Sequence, residues 1–78
     1  MLSDSTVRWR CRRGKKELDV LLGRFLERHL ASLGAAQRAA LECLLALEDD
    51  DLLDLALGRA APADADTAAV LALMKPGA

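Results

Sequence analysis

Apolar residues recur at the helical period along most of this chain. Leu18, Leu21, Leu22, Phe25, Leu26, Leu30 and Leu33 form one stripe, while Asp19, Arg24, Glu27 and Arg28 fill the other face. That spacing predicts an amphipathic helix over about residues 16–33, because positions three and four apart share a helix face. Gly34 is expected to close it as a left-handed residue beyond the helix end. Gly23, inside the helix, costs roughly 1 kcal/mol against Ala or marks a close contact. A further helix is predicted over 35–47, carrying Ala40, Leu41, Cys43, Leu44 and Leu45. The run Glu48-Asp49-Asp50-Asp51 is expected to supply capping oxygens and negative charge to a short helix over 50–57, where both suit a helix start. After Pro62, Asp64 or Asp66 caps a last helix over 65–74, which Pro76-Gly77 closes.

The first segment reads two ways. Val7 to Arg12 alternates with period two, as a half-buried strand would. Nothing downstream offers a partner strand, and a lone strand is unstable in water. A helix over 4–13 is therefore expected, broken by Gly14. The sum is an all-α, small five-helix bundle formed by one domain over residues 1–78.

Composition supports that class. Seventeen Leu and fifteen Ala are strong helix formers, whereas only three Val and two Thr are β-branched and Ile is absent. The longest apolar run, Ala68 to Met74, is seven residues, far short of the ~20 of a membrane span. Asp4, Arg8 and Arg10 fall where a signal peptide would be apolar. Cys11 and Cys43 lack a C-x-x-C partner and are too few for a disulfide framework or a zinc site. Free thiols fit a reducing compartment, so a cytoplasmic or organelle-matrix location is expected.

The net charge of −1 hides a polarised chain. Six of eleven basic residues lie between Arg8 and Lys16, and eight of twelve acids between Glu42 and Asp66. Such a split serves a docking surface or pairs the two segments internally. Catalytic candidates are thin. His29 is the only histidine, without an orienting partner or companion ligands, and reads as structural. Both cysteines read as small core hydrophobes, Cys11 in preference to a lowered-pKa thiolate among arginines. Trp9 is expected to anchor the first helix in the core, and Met74 to fill a gap. The acidic run lacks the glycine and alternating spacing of a calcium loop. The basic segment could contact nucleic-acid phosphates, but no aromatic pair accompanies it for stacking. Residues alone thus give a helical domain with basic and acidic groups at one helix junction.

The string Trp9-Arg10-Cys11-Arg12-Arg13-Gly14-Lys15-Lys16-Glu17-Leu18-Asp19 resembles the signature W-x-C-R-R-G-x-x-E-L-D of the succinate dehydrogenase flavinylation assembly factors, the SdhE/YgfY-like family. The R-G-x-x-E core is here Arg13, Gly14 and Glu17. The stretch Leu44-Leu45 to Asp51-Leu52, then Gly58 and Pro62-Ala63-Asp64, follows the family's order. Leu55 stands where the family usually has Trp, and Ala46 where an acid is common. Leu55 can still fill a core site. Glu48, Asp49 and Asp51 remain as the acidic side.

Five amphipathic segments joined by short loops favour a monomeric antiparallel bundle, and the resemblance implies a five-helix assembly factor that is not an enzyme. It implies binding to the flavoprotein subunit of succinate dehydrogenase, and in some bacteria of fumarate reductase. There the factor promotes covalent attachment of FAD to a histidine. FAD then belongs to the partner, with no cofactor held tightly by this chain and no metal. The partner-binding residues implied are Arg12, Arg13, Gly14, Lys15, Glu17, Asp49 and Asp51. A basic nucleic-acid-binding or antitoxin-like regulatory module is the alternative.

Overall fold

The computed structural model describes residues 2–75. Its order is α1 (Asp4–Arg10), α2 (Lys16–His29), a 3-10 turn (Leu30–Ser32), α3 (Ala35–Leu45), α4 (Asp49–Ala56) and α5 (Ala65–Met74). Among the described residues there is no strand, and the all-helical expectation holds. The radius of gyration, 11.1 Å, matches the ~11.5 Å of a close-packed chain this long.

Helix α5 is the hub, packing against α2, α3 and α4. Its sequence explains why. Alanine, valine and leucine surround it on all sides, and a helix apolar all round belongs inside. Val70, Leu71 and Met74 are buried, the last filling the core as expected. Phe25, Leu18, Leu22, Leu41, Leu52, Val7 and Val70 are its largest fully enclosed side chains. Leu55 is partly buried and packs against this cluster. Asp64 is the N-cap of α5, its carboxylate accepting the Thr67 N–H at 2.8 Å. That bond holds the Asp64 carboxyl below the usual carboxylate range.

Several expected details are corrected. Helix α1 stops at Arg10, not residue 13. The Arg13 N–H donates to the Asp19 carboxylate at 2.8 Å instead of to a helix carbonyl. Helix α2 tightens into the 3-10 turn after His29, and the chain leaves it extended at Leu33. Gly34 is therefore not left-handed (φ −73°) and instead occupies the N-cap of α3. A Cβ at Gly23 would meet nothing within 4 Å, so no close contact explains that glycine. Helix α3 ends at Leu45, not residue 47, and α4 ends at Ala56, with Leu57 as its exposed cap. Glu48 occupies the α4 N-cap by backbone alone, with no side-chain capping bond. The aspartates behind it contribute charge to the first turn. Pro76-Gly77 lies outside the described residues.

Trp9 and Cys43 are the larger corrections, with one cause. Val7 and Cys11, four apart, form the buried face of α1. Trp9, two positions beyond Val7, lies about 200° round the helix. It is 71% exposed rather than a core anchor. Helix α3 buries Ala40, Leu41, Leu44 and Leu45 and leaves Cys43 outside.

The two thiols therefore differ, and burial pushes Cys11 up to about 11 against the pull of the Arg13 and Arg8 charges. At neutral pH it stays a protonated, enclosed thiol. Thiol titration of the native protein should label one cysteine quickly, and peptide mapping should find it at Cys43. Cys11 should react only after unfolding; rapid native labelling of Cys11 would contradict this packing.

Candidate functional site: the junction of the α1–α2 and α3–α4 loops

Gly14 sits at φ +82°, the left-handed region that favours glycine, and turns the chain from α1 into α2. It is exposed, and a Cβ built there would meet nothing within 4 Å. The turn is fixed from both sides. Behind it, Asp19 in α2 accepts the Arg13 N–H. In front, the Arg13 guanidinium reaches across to the end of α3 and the start of α4.

Arg13 has the most connected polar side chain of the site. Its Nε donates to Asp49 Oδ1 at 2.7 Å and its Nη1 to the Leu45 carbonyl at 2.8 Å. Nη2 donates to the Leu47 carbonyl, and Nη1 also approaches the Arg10 carbonyl at 3.2 Å. The planar fork of arginine suits this, placing several donors in fixed directions. Carbonyls at a helix C-terminus lack intrahelical partners, and a cation there is favoured. Only 11% of the side chain remains exposed. Beside it, Lys15 Nζ donates to Asp50. The pairing raises the Lys15 pKa and lowers that of Asp50, the hydrogen bond being the larger cause of each. Both groups are solvent-washed, so this pair adds little to stability.

The seven residues implied by resemblance thus fall into two sets. Arg13 and Asp49 face each other inside the junction, and Lys15 is engaged at its rim by Asp50. Arg12, Gly14, Glu17 and Asp51 are exposed. Among the described residues, Arg12, Glu17 and Asp51 make no ion pair. The opposed charges of the two chain segments therefore pair internally and also leave a charged surface. Sequence reading missed Asp19 and Asp50. An acid in the opening turns of a helix, just after a glycine turn, is the signal that points to Asp19.

Next to Glu17 lies a shallow groove of about 360 Å³ lined by Lys16, Glu17, Val20, Leu21, Arg24 and Leu57. Val20 and Leu57 are among the exposed large hydrophobic residues. Nucleophilic chemistry has little material here. Cys11 is enclosed, and His29 packs its ring on Phe25 at 5.9 Å, with Nε2 buried and without a hydrogen-bond partner. Among the described residues no group of three or more His, Cys, Asp or Glu could hold a metal ion, and no helix is long and apolar enough to cross a membrane.

Fold and junction together define a small helical domain whose exposed glycine turn at Gly14 is tied down by the paired Arg13 and Lys15, with Arg12 and Glu17 exposed close by. Comparison with known proteins makes the class specific. The family model described as flavinator of succinate dehydrogenase matches residues 5–77, so the chain belongs to that family. The FAD assembly factor SdhE of Coxiella burnetii is 41% identical over 61 residues, covering 78% of this chain and 74% of that protein. The FAD assembly factor SdhE of Ralstonia nicotianae is 43% identical over 56 residues, 72% of this chain and 59% of its own length. No solved structure matches the chain.

Proposed function

We propose that this chain binds the flavoprotein subunit of succinate dehydrogenase and promotes covalent attachment of FAD to it, without catalytic groups or a tightly held cofactor of its own. The observation that carries the reading is the family match over residues 5–77. The exposed, positive-φ Gly14 beside Glu17 supports it, offering close backbone approach and a hydrogen-bond acceptor from one rigid turn. The flavin and its acceptor side chain both belong to the partner. This chain contributes binding energy that favours the partner conformation in which the two are aligned. Each ~1.4 kcal/mol of differential binding shifts that population tenfold, and alignment of reacting groups strongly accelerates their union. The factor acts as a monomer in the cytoplasm, and the related flavoprotein of fumarate reductase is a second client. Arg12, Gly14, Glu17 and Asp51 touch the partner directly, while Arg13, Lys15 and Asp49 hold the turn that presents them.

The test is covalent flavin on the succinate dehydrogenase flavoprotein, read by in-gel fluorescence of denatured membranes. Deleting the gene should reduce the signal to near background, and supplying this chain should restore it. Unchanged covalent flavin in the deletion strain would refute the reading. The nucleic-acid alternative is weakened, because Asp49 and Asp50 already occupy two of the clustered cations.

A further inference from the structure

Trp9 does nothing for the fold that a smaller residue could not do. It is 71% exposed, in the last turn of a helix whose core face is made by Val7 and Cys11. Alanine or lysine would suit the helix better and expose less apolar surface. Arg8, Arg10 and Arg12 surround it in sequence, all exposed. Among the described residues Arg13, Lys15, Arg38 and Arg59 are matched by carboxylates, whereas these three arginines are not. Arg8 and Arg12 share a recess with Asp19 and Glu27, but neither acid is within ion-pair reach, and Asp19 already accepts the Arg13 N–H.

An exposed tryptophan among unpaired arginines has the composition of an interface hot spot, an apolar anchor with charge to steer it. Its position continues the junction. The Arg12 N–H donates to the Trp9 carbonyl at 3.1 Å, and Arg13 approaches the carbonyl of Arg10, so the end of α1 is tied to the Gly14 turn. We infer that Trp9 is a second anchor of the docking surface, inserting into an apolar recess rimmed by carboxylates on the flavoprotein subunit, with Arg8, Arg10 and Arg12 meeting that acidic rim. The inference rests on the proposed function for the identity of the partner. The chemistry of the recess follows from the charges left unmatched on α1.

Trp9 is the only tryptophan in the chain, so incorporating 5-fluorotryptophan gives a single fluorine resonance. The labelled protein is mixed with unlabelled flavoprotein subunit, and complex formation is followed separately by size-exclusion chromatography. The resonance should shift or broaden in the complex and lose its H2O/D2O solvent effect. Trp9→Ala should weaken binding roughly tenfold or more, with helix content by circular dichroism unchanged. Arg8→Glu combined with Arg12→Glu should weaken it most at low salt. A complex that forms with the resonance and its solvent effect unchanged overturns this inference and leaves the proposed function standing. If no complex forms, the proposed function fails and the inference falls with it. A resonance that moves with an RNA hairpin but not with the flavoprotein assigns the face to nucleic acid and overturns the inference too.

Discussion

Gly14→Arg should abolish covalent flavinylation of the succinate dehydrogenase flavoprotein while the protein still folds. At φ +82° any L side chain is strained, at a cost of roughly 1–2 kcal/mol. Open space beyond the Cα means that no further clash adds to it. A domain of this length has a stability of roughly 4–12 kcal/mol, so the strain is survivable. The arginine projects from the turn into the volume a docking partner must enter. Gly14→Ala separates the two effects, since it carries the same backbone strain but adds only a methyl group. It should melt like the arginine variant yet retain most flavinylation. Glu17→Ala completes the set: exposed and outside any ion pair, it should change stability by less than about 0.5 kcal/mol. Its flavinylation should nonetheless fall sharply, because the acceptor is gone. Thermal melts and in-gel flavin fluorescence check all three. A folded Gly14→Arg protein that flavinylates as well as the parent would remove this turn as the working surface.

Arg13→Ala should fail for the opposite reason, by loosening the protein itself. Removing the guanidinium leaves the half-buried Asp49 carboxylate and the carbonyls of Leu45 and Leu47 without their donor. Breaking a buried charge pair by deleting one partner costs about 3–5 kcal/mol. Water reaching Asp49 places this case near the lower figure. For a domain of this size a loss of about 3 kcal/mol lowers Tm by more than ~10 °C. Arg13→Lys should recover only part, because a single ammonium cannot span donors to two carbonyls and a carboxylate at fixed angles. Flavinylation should fall together with stability in the Arg13 variants, whereas in Glu17→Ala it falls alone. A Tm shift of only a degree or two for Arg13→Ala would show that the clamp contributes nothing.

Arg13 adjoins Gly14, Glu17 lies three residues beyond it and Asp49 is far along the chain, yet one motif and one acidic run contain them all. The structure divides them by orientation. Arg13 turns inward because the last carbonyls of α3 and the Asp49 carboxylate lie within its reach. Glu17, in the first turn of α2, makes no ion pair among the described residues and remains at the surface. A motif written as letters carries both kinds of residue with equal weight.

What the sequence determined by itself is local. Leucine and alanine content, the stripe that opens at Leu18 and a capping aspartate at 64 or 66, of which the structure uses Asp64, specify helices through interactions spanning a turn or two. For that reason the last helix runs over residues 65–74, as its sequence predicts. The glycine turn at position 14 was legible for the same reason. What only the tertiary structure decided depends on partners distant along the chain. Arg13 and Asp49 meet across 36 positions and Lys15 and Asp50 across 35, and no periodicity encodes such pairs. Trp9 and Cys43 were misplaced because the apolarity of a side chain does not say which face of a helix will meet another. Packing of α1 on α3, and of α3 on α5, made that choice. It enclosed Val7, Cys11 and Leu41 and turned Trp9 and Cys43 toward solvent, because residues two apart on a helix cannot share its buried face.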